Sequence, residues 1–169
     1  MSLVIRAAQA NDAGLVLQFI KDLAEYEKLL HEVVASEQDL VETLFGANPK
    51  AHAVIVEWQG KPVGFALYFY NYSTFLGKPG IYLEDLYVQP DYRSMGIGKQ
   101  ILYWLAAKAV AEECCRLQWW VLDWNEPSIE FYKKIGAVPM DEWTVFRVDG
   151  QQLKQLAAKL DVATPCPYV

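Results

Sequence analysis

The chain has 169 residues, with 15 basic against 21 acidic, a net charge of −6 at neutral pH, 53% hydrophobic and 14% aromatic residues. That apolar content excludes a disordered chain, and the negative balance argues against a nucleic-acid binder, which wants a basic face. The length fits one domain over residues 1–169, with enough apolar mass for a sizeable core.

Residues 3–8 read as a short strand. Asn11 and Asp12 can cap a helix whose apolar positions Val16, Phe19, Ile20, Leu23 and Leu30 recur at three- and four-residue steps. Ser36 followed by Asp39 has the form of a capping box, opening a helix through Leu40, Leu44 and Phe45 that Gly46 and Pro49 end. Residues 51–58 and 63–70 are β-rich runs joined by a hairpin signal, and residues 71–80, with two glycines and a proline, read as a loop. A strand over 81–88 follows, then a glycine-containing turn and a helix spaced by Ile97, Ile101, Leu105 and Ala109. Residues 117–124 read as a strand, and Pro127 suits the first turn of a helix ending near Gly136. Residues 143–148 read as a last strand, 151–160 as a last helix, and 163–169 as a mobile tail, leaving about 3–160 ordered. The order β-α-α-β-β-β-α-β-α-β, with an added helix, predicts an α/β fold on a mixed sheet.

Cys114, Cys115 and Cys166 are odd in number and lack metal-ligand spacing, and neither His31 nor His52 lies near them in sequence. They read as reduced thiols of a cytoplasmic protein without a metal site. The N-terminus lacks a basic-then-apolar signal and no apolar run approaches 18 residues, so neither secretion nor a membrane partner is expected.

Arg93-Ser94-Met95-Gly96-Ile97-Gly98 follows the strand over 81–88 and opens the next helix. Glycines at this spacing remove the Cβ atoms that would keep phosphate oxygens from backbone N–H groups. The unpaired amides and the dipole of the new helix supply attraction, and Arg93 and Lys99 add charge on either side. A dinucleotide fingerprint fails because the order is R-x-x-G-x-G, and a Walker loop fails because Gln100 follows Lys99. Upstream, Glu84 and Asp85 form an acidic pair in an apolar strand, where a carboxylate is costly unless paired or functional. Strict alternation would send the two to opposite faces.

The run YLEDLYVQPDYRSMGIG, residues 82–98, resembles the acyl-CoA-binding motif of the GCN5-related N-acetyltransferases. VLDWNEPSIEFYKKIGA, residues 121–137, is similar to the motif that follows it in the same superfamily, and RAAQANDAGLVLQFIKDLAEYEKL, residues 6–29, resembles the opening of its diamine (spermidine/spermine) branch, with a thialysine-acetylating relative a comparably close match.

The resemblance implies a sheet whose central parallel strands splay, with acetyl-CoA as co-substrate in the gap. The implied cofactor contacts are Leu86, Tyr87 and Val88 through their main chain, Arg93, Ser94, Met95, Gly96, Ile97, Gly98 and Lys99 at the loop, and Asn125, Glu126, Pro127, Ser128 and Tyr132 from the second motif. Asn125…Ser128…Tyr132 matches the pattern whose tyrosine lies near the thioester sulfur, and Ser128 and Tyr132, four apart, share a helical face. Tyr132 is thereby the implied acid, with a packed tyrosine as the plain alternative. Glu84 is the implied base and amine contact, with a salt-bridged structural carboxylate as the alternative. Tyr26, Glu27 and Glu142 match further amine contacts, although near Trp143 either Asp141 or Glu142 aligns.

The implied activity is transfer of an acetyl group to a primary amine of a small diamine-like substrate by direct attack. Alternatives are thialysine or another amino acid-like amine, or a non-catalytic acyl-CoA-binding module. A homodimer is the implied assembly.

Overall fold

In the computed structural model, which describes residues 2–160, the β-rich runs pair into one five-stranded sheet of order β1-β2-β3-β4-β5. The tail expected to be mobile, and Cys166 within it, lie outside the described residues. The chain gathers into two compact units, Met1–Leu122 and Asp123–Val169. The first holds β1 (Leu3–Ala7), α1 (Ala13–Tyr26), α2 (Glu37–Phe45), β2 (His52–Trp58), β3 (Lys61–Ser73), β4 (Lys78–Val88), α3 (Ile97–Ala111) and β5 (Leu117–Trp119). Neighbours pair antiparallel except β4 and β5, which run parallel.

The helix starts follow local chemistry. Ser36 and Asp39 form the reciprocal cap expected at α2, the Asp39 amide donating to Ser36 Oγ at 3.2 Å and the Ser36 amide to Asp39 Oδ2 at 2.7 Å. Asp12 stands at the start of α1 without capping it, because its carboxylate takes both guanidinium nitrogens of Arg6 at 2.7 and 3.0 Å. Burial of apolar stripes then fixes the layers, each fully buried large side chain contributing about 1.5–3 kcal/mol. Val16 and Phe19 of α1 and Leu40 and Leu44 of α2 pack on Ala53, Ile55, Phe65 and Tyr87, with Phe19 stacked on Phe65 at 5.7 Å. Ile101, Leu102 and Leu105 bury α3, and Trp104 of that helix meets Tyr68 edge-on at 6.3 Å.

One irregularity in β4 decides what its last residues face. Leu67 pairs with Asp85 and Tyr68 with Leu83, so Glu84 is an extra residue with no opposite number. Such a bulge interrupts alternation and bends the strand. Leu83 follows Tyr68 to the α3 side, whereas Asp85 and Tyr87 follow Leu67 and Phe65 to the α1/α2 side. The strict alternation expected through Glu84 and Asp85 is therefore broken at this point.

Three expected boundaries shift. Residues 71–73 and 78–80 are strand rather than loop, because Asn71, Tyr72 and Ser73 pair with Gly80, Pro79 and Lys78 around a turn at residues 74–77. Gly80 is needed there for space, since Asn71 Oδ1 and Arg116 Cγ lie 2.5 and 2.7 Å from where its Cβ would stand. The strand expected over 117–124 stops at Trp119, whose partner Leu83 is the last β4 residue before the bulge. Leu30 lies outside α1, in a short 3-10 turn (Leu30–Glu32), after a reversal at Lys28 with φ of +63°.

The second unit holds α4 (Glu126–Lys134) and α5 (Gly150–Ala157). Residues 143–148, expected as a strand, are irregular. A β-rich segment becomes a strand only when another strand satisfies its backbone, and among the described residues this unit offers none.

Gly64 faces Val88 across β3 and β4, and a Cβ there would meet the Tyr87 carbonyl oxygen. Gly64→Ala is expected to destabilise the protein by about 1–3 kcal/mol, read as a lower urea midpoint. An unchanged midpoint would show that β4 yields at this end.

Candidate active site

The end of β4 is where the first unit leaves backbone groups available. β5 pairs with β4 only at Ile81, Tyr82 and Leu83, while β4 continues to Val88. Past Leu83 no strand lies on that edge among the described residues. Because β5 ends at Trp119, Leu86, Tyr87 and Val88 lie along the stretch of this edge that β5 does not pair. Val88 is already engaged in part, its carbonyl oxygen accepting from Arg93 Nε at 2.9 Å.

A 3-10 turn (Pro90–Tyr92) leads from β4 to the glycine loop. Ser94 and Gly96 adopt left-handed conformations, φ +64° and +79°, and Gly96 caps α3 without any side-chain bond to its first amides. Nothing lies within 4 Å of where a Gly96 Cβ would stand, and a Cβ at Gly98 would make ordinary contact with Leu86 at 3.8 Å. The left-handed turn accounts for glycine at 96, whereas neither backbone nor packing accounts for the missing side chain at 98. What the two glycines leave is open approach to the amides of the first helical turn, which fits an anionic diphosphate. Lys99 holds its ammonium 5.3 Å from the Tyr103 ring. Met95 and Ile97 line a groove of about 710 Å³ with Leu3, Ile5, Trp58 and Trp104.

Around the bulge stand three carboxylates. Glu84 is exposed, and Asp85 and Glu27 are half-buried. Burial pushes the Asp85 carboxyl up to about 7, helped by the nearby charges of Glu84 and then Glu27. Burial alone pushes Glu27 up as well. The three do not form a metal-holding group, and no set of His, Cys, Asp or Glu among the described residues does. The resemblance assigns the chemistry of the acidic pair to Glu84, and the structure adds Asp85, whose carboxyl burial displaces toward neutral pH. Its signal was in the sequence, as a carboxylate inside an apolar run.

Tyr26 closes α1 and is brought to Arg93, whose guanidinium carbon lies 4.8 Å from the Tyr26 ring centre and 5.6 Å from that of Tyr87. No sequence signal pointed to this contact, because the residues lie on elements far apart in the chain.

In the second unit, Asn125 caps α4, its Oδ1 accepting from the Ser128 amide at 3.4 Å, and Glu126 and Pro127 form the first turn. Asn125, an implied cofactor contact, therefore spends this oxygen on the helix start. Tyr132 stands one turn beyond Ser128 on the same face, its ring 5.5 Å from that of Phe131. Asp141 and Glu142 are exposed and share a turn.

Residues 19–137 match the model of the acetyltransferase (GNAT) family. Among curated proteins, the chain is 41% identical to the thialysine N-epsilon-acetyltransferase of Sus scrofa, over 94% of this chain and 99% of that protein. It is 36% identical to the human spermidine/spermine N(1)-acetyltransferase-like protein 1, over 90% of this chain and 23% of that one. Among solved structures, an integron cassette protein from the mobile metagenome of V. cholerae superposes with a TM-score of 0.78 at 28% identity, covering 93% of this chain and 98% of the other.

The raised Asp85 carboxyl sets a sign for pH. A carboxyl whose folded value exceeds its unfolded value favours folding while protonated, and that advantage is lost as pH rises from about 4 through 7. Asp85→Asn is expected to stabilise the protein at pH 8, by at most about 4 kcal/mol, and the gain should shrink toward pH 4. Urea titrations of both proteins at the two pH values check this; an equal gain at both removes burial of the charge as the cause.

Proposed function

We propose a substrate and a route for this chain, which belongs to the acetyltransferase (GNAT) family and is an N-acetyltransferase. It moves an acetyl group from acetyl-CoA to a primary amine of a small, cationic, diamine-like substrate, by direct attack with both substrates bound. The observation that carries the reading is the free β4 edge running straight into an uncapped, glycine-flanked helix start. One edge suits the amides of a pantetheine arm, as an added strand would, and the other suits its diphosphate.

Acetyl-CoA supplies an activated thioester. Amides from Ser94 to Lys99 hold its anionic end, and the main chain of Leu86–Val88 aligns its arm. An alkylammonium has a pKa of about 10.4, so the amine arrives charged. Glu27, Glu84 and Asp85 attract that charge, which the net charge of −6 also favours. Glu84, exposed at the bulge, takes a proton from the amine through water, and Asp85 beside it, titrating near 7, is matched to accept one at neutral pH. Tyr132 is assigned the proton returned to the departing thiolate, an assignment supported by the resemblance of Asn125…Ser128…Tyr132 to the family's pattern. Positioning contributes roughly 7–11 kcal/mol, more than the ~10²–10⁴-fold of a single acid or base.

Direct attack is supported by the thiols among the described residues. Cys114 and Cys115 lie just past the end of α3, and burial pushes the Cys114 thiol up, away from the reactive thiolate.

A second reading, acetylation of the thialysine side-chain amine, is favoured by the 41% identity to the pig protein. We propose, with either substrate, a cytoplasmic protein, as the cysteine usage suggests, that works as a homodimer. The exposed Phe75 and Leu76 at the tip of the β3–β4 hairpin support an assembly surface there.

Thiol release from acetyl-CoA against putrescine, spermidine, spermine, lysine, thialysine and a lysine-containing peptide decides between the readings. Turnover with the polyamines carries the first, turnover with thialysine alone the second, and turnover only on a peptide overturns both. Gly98→Ala separates architecture from binding. Alanine in the first turn of α3 is expected to preserve or raise stability by up to about 1 kcal/mol, while raising the KM for acetyl-CoA at least fivefold. An unchanged KM would show that those amides do not hold the cofactor.

A further inference from the structure

Arg93 ties the glycine loop to a different part of the first unit. On one side it is fixed, because its Nε bonds Val88 O at 2.9 Å and its guanidinium stacks near Tyr87, which is only 6% exposed and packs on Phe19. On the other it lies over Tyr26, which is 41% exposed and is the last residue of α1. The next residue, Glu27, is one of the two carboxylates whose charge reaches Asp85. After it, Lys28 takes a left-handed conformation, φ +63°, that a side chain adopts only at a cost. The α1 end is thus a strained turn whose aromatic residue is held by a cation rooted beside Ser94 and Gly96.

We propose that Arg93 couples the two halves of the site. By clamping Tyr26 it transmits the ordering of the glycine loop to the α1 end, so each substrate raises the affinity for the other. The proposal rests on the reading given above, in which the loop holds the acetyl-CoA diphosphate and the carboxylates near Glu27 face the amine. Arg93 acts here as a positioning residue. The coupling is reciprocal by linkage: whatever factor the cofactor adds to amine affinity, the amine adds to cofactor affinity. A partly exposed cation–π contact limits the factor to about threefold to tenfold.

An arginine that met only the diphosphate would behave differently. Its loss would weaken cofactor binding and leave amine affinity in the absence and presence of CoA in the same ratio.

The test is calorimetric, with free CoA as the non-reacting partner and thialysine and spermidine as amine probes. Wild type, Arg93→Met, Tyr26→Leu, Tyr26→Phe and the Arg93→Met/Tyr26→Leu double variant are each titrated with amine, with and without saturating CoA. Wild type should bind at least one of the amines three times or more tightly when CoA is present. Arg93→Met and Tyr26→Leu should each bring that ratio close to one, and the double variant should lose nothing further. Tyr26→Phe, which keeps the ring, should restore the ratio. A ratio of one in wild type, or a ratio that survives Arg93→Met or Tyr26→Leu, overturns the coupling. Absence of CoA binding to wild type overturns the underlying reading instead. Should Arg93→Met fail to fold, as its thermal melt would show, the substitution at exposed Tyr26 carries the test alone.

Discussion

Backbone hydrogen bonding along β4 is the constraint on which the candidate site depends. From Ile81 to Leu83 the strand is held on both edges, by β3 and by β5, and downstream of Glu84 by β3 alone. A strand with one open edge ordinarily invites unwanted pairing, and proteins blunt such edges with bulges, charges or cover. Here the bulge and two carboxylates sit at the point where the edge opens. The same irregularity turns Asp85 and Tyr87 toward α1, which is why an acidic group and the end of a helix meet near the opening. Had the register run on without the extra residue, Asp85 would share a face with Leu83.

Departures from local rules gather at this end of the sheet. Asp85 is a carboxylate driven toward its neutral form, Ser94 and Lys28 hold left-handed conformations without being glycine, and Gly98 occupies a helical position that alanine would stabilise. Among the described residues, the other non-glycine positions of positive φ, Gln59 and Glu113, serve a hairpin turn and the chain's exit from α3. Concentrated disagreement of this kind is expected where function competes with stability.

The sequence disclosed what is local. The Ser36–Asp39 cap, the Pro127 helix start, the apolar stripes of α1 and α3 and the glycine loop are each written within a few consecutive residues, so spacing alone revealed them. The acidic pair was visible as an anomaly, yet its consequence was not, because the bulge is a relation between β4 and a distant stretch of β3. The two ends of the 71–80 segment are strand around a turn at 74–77 for a similar reason. Glycine and proline signal a loop, but long-range pairing and the intrusion of Asn71 and Arg116 beside Gly80 decided otherwise. Residues 143–148 have the composition of a strand and lack what composition cannot supply, an adjacent ladder. The clamp of Arg93 on Tyr26 leaves no trace in spacing, since it joins a loop to a helix end through side chains alone.

Strand order in the sheet equals strand order in the chain, and this has a bearing on how the molecule is assembled. The stretch β2–β3–β4 is a meander whose two hairpins close with short turns, so little entropy is lost in bringing each pair together. The parallel contact of β4 with β5 spans the whole of α3 and wins only three residue pairs in return. Per bond formed, it is the sheet's most demanding junction in loop-closure terms. The gap proposed to receive a substrate therefore borders the joint of the sheet that topology supports least, so a ligand bridging it would lend cohesion where the polypeptide supplies little.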